Sequence, residues 1–563
     1  MRVFEKAEQH AQTHFTPFDW LVVGVFLVLA LLGAGTMLAQ ASLSLSVEVP
    51  VHGGTHREGV LGTPRFINPL LATSETDNDL TALVFGGLMK SEPDGSVSPY
   101  LAERYEISED ALQYTFYLKD AIFFHDGTPI TAEDVVYTIQ TAKNPVTKSP
   151  RRANWEGVDV IASDEKTVVF TLRVPYALFL ENTTLGIMPK HLWSTLSAEE
   201  FPFSSLNTDP VGSGLFAVSS IKKNQSGVPT EYTLTTSKST DRRPFIKRMV
   251  FTFFTDQEAL FNALLAGDID AAHSLVPAQD TNQVAEEAVF ARVFGVFFNQ
   301  NQQELFADAV VRRALNLALD KQRVVDTVVS GYGSVLNGPL PPEYVGAKAV
   351  PEDTFEERRL RAQELLEKNG WEKGEDGIFQ KTVKKKTRRL QFSLATANAP
   401  ELKQSAELVA EMWRSFGVDV SLQFFDQNDL NTEVLRPRKY DALLFGLVVG
   451  RELDLFAFWH SSQRNDPGLN IALYANIAAD KYLEEARNEL DPSARREKAS
   501  LAAEEIVQDT AAIFLYAPHF TYLHEPELRG VNLETVSTSR DRFAGIENWY
   551  VATQRVWPLF IKN

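Results

Sequence analysis

Histidines and carboxylates crowded into one short stretch are the natural place to look for acid–base chemistry. Residues 123–139, FFHDGTPITAEDVVYTI, hold His125, Asp126, Glu133 and Asp134 within ten positions of one another. An imidazole beside a carboxylate can relay a proton, and two further acids offer a general acid and a general base. The surrounding pattern assigns all four to structure instead. Residues 113–124, QYTFYLKDAIFF, alternate Tyr114, Phe116 and Leu118 with Thr115, Tyr117 and Lys119, as a half-buried strand does. His125-Asp126-Gly127 follows as a turn. Thr131 is an N-cap, Asp134 returns the bond in a capping-box variant, and Glu133 and Asp134 fill the first helical turn, where the dipole favours acids. Val135, Val136 and Ile139 then give the helix over 132–142 one apolar side.

Other candidate motifs fail on context. Gly212-Ser213-Gly214-Leu215-Phe216-Ala217 satisfies G-x-G-x-x-A, but Pro210 precedes it and the strand-like LFAVSSI follows, so the strand-before, helix-after setting of a dinucleotide site is missing. The chain contains no Walker A sequence, no H-E-x-x-H and no G-x-S-x-G. His10 and His14 are spaced for one helical face but lie in the N-terminal tail. His52 and His56 are separated by a Gly-Gly turn that makes a shared face unfavourable. His273, His460, His519 and His524 are scattered. There is no cysteine, which removes disulfides, thiolate metal sites, a catalytic thiol and a lipid-modified N-terminal cysteine. No enzymatic activity, cofactor or metal is expected.

A chain of 563 residues, 44% of them hydrophobic, is long enough for more than one core. Its formal charge of −19 argues against a nucleic-acid partner, which needs a concentrated basic face. From Trp20 to Leu38 the chain runs WLVVGVFLVLALLGAGTML without a charge, and as a helix at ~1.5 Å per residue it nearly spans a ~30 Å hydrocarbon core. Arg2 and Lys6 precede it and the next basic residue is Arg57, which sets residues 1–19 as a cytoplasmic tail, 20–39 as a transmembrane anchor and everything after as extracytoplasmic. Ala39-Gln40-Ala41 also has the form of a signal-peptide cleavage site; the length of the apolar core favours a retained anchor. Residues 40–56, ending in a Gly-Gly turn, read as a short linker.

Beyond it, helix-like periodicity over 306–330, 356–368 and 401–416 alternates with strand-like runs at 230–236, 249–254, 390–395 and 440–448, which implies α/β architecture. The charged run KTVKKKTRR at 381–389 reads as a solvated hairpin or loop.

Several segments resemble the family 5 extracellular solute-binding proteins, the peptide, dipeptide and nickel receptors of ABC importers. Residues 102–139 resemble the family's signature region, and GGTHREGVLGTPRFINPL at 53–70 resembles its first strand and the segment entering the cleft. NTDPVGSGLF at 207–216, LLAGDIDA at 264–271, the stretch 297–333 and IENWY at 546–550 are similar in turn and in order. The resemblance implies a two-lobed periplasmic-binding-protein-like α/β fold behind an N-terminal transmembrane helix, with lobe I over 57–294, lobe II over 295–516 and a return to lobe I over 517–563. It implies a membrane-tethered receptor that closes on a small-molecule or peptide ligand and docks on a permease fed by ATPase subunits.

The resemblance also carries candidate ligand contacts: Phe66 and Asn68 at the first-lobe wall, Ser213 and Gly214 at the neighbouring turn, Asn299 and Asn301 at the crossover, and Trp459 and His460 after the second-lobe loop. In peptide receptors of the family a Trp-x-x-Asp element pairs an aspartate with the ligand's ammonium. Here Leu447 and Gly450 stand at those positions. Glu452 or Asp454 is an alternative acid, and Arg451 an anchor for carboxylate or phosphate. Oligopeptides are the leading solute; a sugar, a metal chelate, and a sensor or polypeptide-binding role on the same fold remain open alternatives.

Overall fold

The computed structural model describes residues 16–238, 242–277, 282–342, 353–450 and 454–558, without the side chains of 38, 39 and 41–44. An apolar helix, Pro17–Leu45, opens the described chain and is long and apolar enough over 17–37 to cross a membrane. The linker expected over 40–56 is corrected here. The helix runs on through Leu45, Val47–Pro50 pairs antiparallel with Thr553–Val556, and Gly53–Leu61 is already a strand of the main sheet. Alternating valines in VEVPV suit a paired edge strand better than a tether.

A sheet of 12 strands runs through the whole molecule. Its order is Asp419–Phe425, Gln391–Ala397, Ala442–Val448, Arg292–Phe298, Ala512–His524, Ala271–His273, Gly53–Leu61, Ile246–Phe254, Pro229–Thr236 and Phe216–Lys223, with Val284–Val289 and Gly333–Val335 added along Ala512–His524. The 13-residue strand Ala512–His524 connects the two halves. Its residues 512–516 pair with Arg292–Phe298, while 519–524 pair with Val284–Val289. Two antiparallel runs, 284–298 and 512–524, therefore pass side by side from one half to the other.

The buried clusters divide along those same runs. Ala517, Phe514 and Val293 pack with Trp459 and Tyr474 on one side, whereas Phe520, Tyr522 and Phe290 pack with Trp549 and Phe251 on the other. A second cluster of the far half gathers Trp413, Phe392 and Phe306. In the near half a four-stranded antiparallel sheet, Ala102–Ile107, Gln113–Leu118, Thr167–Leu172 and Val158–Ala162, carries the helix Ala132–Lys143 on one face around Phe116, Phe170 and Trp155.

That helix begins at Thr131 with the expected reciprocal cap to Asp134. The strand before it ends at Leu118, and Phe123 makes only an isolated bridge to Pro129. The helical run expected over 306–330 divides into Ala309–Leu317 and Lys321–Val328, because the Asp320 carboxylate accepts from Arg323 N at 3.2 Å and starts a second helix. The basic run folds as an exposed hairpin, Phe379–Val383 against Lys386–Arg389, with Lys384 and Lys385 both at positive φ.

Candidate functional site

The His125-Asp126-Gly127 turn joins distant loops. His125 accepts from Gly212 N on Nδ1 at 3.2 Å and meets the Gly214 carbonyl with Nε2 at 3.1 Å, so the bonding requires the Nε2–H tautomer. Burial pushes its pKa down, only partly offset by that carbonyl and by Asp126. Asp126 accepts from Thr128 N and contacts His191 Nε2 at 2.8 Å. These are the bonds of a turn pinned to its neighbours.

The junction between the halves is built from the first turn of helix Glu75–Val84. Ser74 caps it by accepting from Asp77 N at 3.1 Å, and Asp77 Oδ1 accepts from Arg65 N and Phe66 N at 2.7 and 2.9 Å. Half-buried Phe66 is thereby held at the helix start. Glu75 accepts from Arg292 Nη2 at 3.1 Å. Arg292 stands opposite Val448, Val449 N donates to the Ala291 carbonyl at 2.9 Å, and Gly450 follows. Phe66, Glu75, Arg292 and Gly450 thus converge where the two halves meet. Gly450 has φ +81° and open space where a Cβ would point, so the backbone, not crowding, favours glycine there.

Outside the two crossing runs, Asp454 lies at a second contact between the halves. Its Oδ1 accepts from Phe456 N at 3.0 Å, and its other oxygen is 3.4 Å from Arg487 Nη2. Arg487 lies over Tyr176 of the near half at 5.1 Å and over Phe456 at 4.4 Å, while its carbonyl accepts from Ala177 N at 3.0 Å. Burial first, then the Asp454 charge, pushes the Tyr176 phenol up to about 12. A cavity of about 20 Å³ separates Leu178 from Leu455, Leu483 and Arg487.

Six residues expected to touch solute have structural partners in the fold. Asn68 is fully buried, bonding Asn207 Oδ1 through Nδ2 and accepting from Leu70 N. The Ser213 hydroxyl accepts from Gly86 N, and Gly214 N donates to the Val84 carbonyl, with no room for a Cβ against Leu83 O at 2.3 Å. Asn299 closes an Asx turn onto Asn301 N and Gln302 N. Trp459 is 1% exposed among Phe297, Tyr474 and Phe514. His460 stacks on Phe456 at 4.1 Å and bonds Ser462 and Glu484. Small and polar residues served turns there, a use that segment resemblance does not separate from ligand contact. Asn301 is exposed, and Arg451 and Glu452 lie outside the described residues.

Sequence reasoning missed a buried ionic network in the near half. Arg542 donates to Glu58 Oε1 at 3.0 Å, Asp79 Oδ2 at 2.7 Å and the Ser539 carbonyl at 2.6 Å; all of its side chain is buried. Glu58 also accepts from Tyr522 at 2.7 Å and contacts His56 Nε2 at 2.9 Å. Burial alone would raise the Glu58 pKa, yet Arg542, His56 and Tyr522 together bring it down to about 2. Because Tyr522 belongs to the crossing strand Ala512–His524, the network fastens that strand to the near half. Glu58 lies in the polar stretch THREG and Arg542 in the charged segment SRDR, so neither stood out in the sequence as buried.

Two lobes joined by paired strands, with residues of both at their junction, have the architecture of a two-lobed binding protein. The family model of bacterial extracellular solute-binding proteins, family 5, matches residues 96–467, and the chain belongs to that family. It is 28% identical over 94% of its length to the oligopeptide-binding protein AppA of Bacillus subtilis, covering 98% of that protein. The structure of Bacillus subtilis AppA in complex with a nonapeptide superposes with a TM-score of 0.69 at 26% identity, over 90% of this chain and 100% of that one. NikZ of Campylobacter jejuni in complex with Ni(L-His) superposes with a TM-score of 0.68 at 25% identity, over 88% and 99% of the two chains. The family consists of solute-binding receptors rather than enzymes.

Proposed function

We propose that this chain is the extracytoplasmic receptor of an ABC import system, binding oligopeptides in the interlobe cleft and handing them to a permease powered by ATPase subunits. Near end-to-end similarity to an oligopeptide-binding protein carries the reading, since it extends through both lobes and the strands between them. On this reading lobe I spans 57–294 and 517–563 and lobe II spans 295–516, the chain crossing between them along the paired runs. The helix at 20–39 is the anchor, with the N-terminus cytoplasmic, and holds the receptor near its permease at high effective concentration.

Phe66, Gly450, Arg451, Glu452 and Asp454 are the wall positions that this reading retains. Extended peptides are held largely by main-chain hydrogen bonds, which tolerate varied side chains and the absence of an aspartate at Gly450. The test is calorimetric titration of the full chain in detergent with a nonapeptide, a dipeptide and nickel–histidine. Saturable peptide binding is expected. Binding of nickel–histidine alone would move the solute to the chelate class.

A further inference from the structure

The contact made by Arg487 is not part of the strand pair that joins the lobes, and its bonds to Tyr176 and Ala177 depend on how the lobes face each other. Tyr176 and Ala177 belong to lobe I; Arg487, Asp454 and Phe456 belong to lobe II. The guanidinium covers one ring from each lobe, at 5.1 and 4.4 Å, and the Arg487 carbonyl takes Ala177 N at 3.0 Å. Arginine suits this position because its flat, weakly hydrated cation stacks on aromatic faces, which an ammonium does less well. Asp454, 3.4 Å away, balances the charge, so the cation can be covered by Tyr176 without standing alone. The Tyr114 hydroxyl donates to the Tyr176 carbonyl at 3.3 Å, which fixes the loop that presents the ring.

We propose that Arg487 is a positioning residue for closure: it seats the Tyr176–Leu178 wall of lobe I on lobe II and holds a closed population even without solute. On this proposal, rotation of one lobe about the paired strands parts Tyr176 and Ala177 from Arg487, and the contact belongs to the closed state. Interactions made in one state alone shift the equilibrium toward it by their full free energy. A closed form already populated binds solute with less loss to conformational selection, and the gain is the same for every solute. The inference rests on the two-lobed receptor reading but not on the solute being a peptide.

The chain has no cysteine, so two introduced ones carry spin labels without background. Exposed Ser163 in lobe I and Ser493 in lobe II serve as Ser163→Cys and Ser493→Cys in the full chain in detergent micelles, with no solute added. Pulsed dipolar spectroscopy should show a short and a long interlobe distance in the parent. Arg487→Ala should lower the short-to-long ratio about three- to tenfold, the range expected of a partly desolvated cation–π contact. Tyr176→Ala, made in the other lobe, should do the same, the double variant no more than either, and Arg487→Lys should restore part of the ratio. Thermal melts identify any variant that fails to fold, and the partner variant then carries the test. A parent with only the long distance, or a ratio unmoved by either substitution in folded protein, overturns the proposal. Failure of the peptide reading shows separately, as absent nonapeptide binding with these distances intact.

Discussion

Replacing Arg542 with methionine removes the guanidinium that faces Glu58 and Asp79 in a fully buried setting. The Glu58 pKa of about 2, against an ordinary 4.5, corresponds to about 3 kcal/mol of stability at neutral pH. Because the folded-state value is depressed, that stability is present above the ordinary value and is lost as pH falls from about 4.5 to about 2. In Arg542→Met, burial acts on Glu58 with less opposition and lifts its pKa, so the variant carries a penalty at neutral pH that protonation relieves. The expected loss is ~3–5 kcal/mol at pH 7.5, as for other buried pairs broken on one side. The gap to the parent should narrow as the pH falls toward 4. Urea unfolding of the full chain in detergent, followed by tryptophan fluorescence at pH 7.5, 5.5 and 4.0, measures it. A gap under about 1 kcal/mol, or one independent of pH, would refute the ionic account of the network.

Lys321 is buried, donates to the Leu336 carbonyl at 2.9 Å, and has its pKa pushed down to about 7, chiefly by burial. The unfolded chain therefore binds more protons above pH 7, so stability should rise by up to ~1.4 kcal/mol per pH unit between pH 7 and 9, and Lys321→Met should abolish that slope. Gly214→Ala places a Cβ 2.3 Å from Leu83 O, so it should cost ~2 kcal/mol or more in urea unfolding; an unchanged midpoint would show that the turn is free to shift. Asp454→Asn weakens the half-exposed pair with Arg487, so calorimetry should find a free-amine peptide and its N-acetylated form weakened alike, about two- to fivefold. Loss confined to the free-amine form would return Asp454 to the role of ammonium anchor.

Local chemistry was the legible part of this sequence. The cap at Thr131 and Asp134, the helix that follows and the exposed basic hairpin depend on neighbours in the chain, and the structure forms them where composition and period put them. The overall fold was legible through segment resemblance rather than periodicity. What escaped were contacts between residues far apart in sequence. Nothing near Arg542 announces Glu58, and nothing near Arg487 announces Tyr176. The structural partners of Asn68, Ser213, Asn299 and His460 escaped for a related reason. Each is a polar residue beside a cleft segment, and only burial and hydrogen-bond partners distinguish a side chain that braces a wall from one that faces solute. The linker over 40–56 failed because strand Val47–Pro50 finds its partner some five hundred residues later, at Thr553–Val556.

The central claim is that the cleft holds peptides. Its most direct test is to incubate the purified full chain in detergent with a complex peptide digest, wash, denature, and identify by mass spectrometry what was retained. The account expects short peptides that share a range of lengths but no common sequence, as recognition through the main chain requires. Recovery of a sugar, a metal chelate or no peptide at all would contradict it, and would make Gly450 the mark of a receptor turned to a different solute.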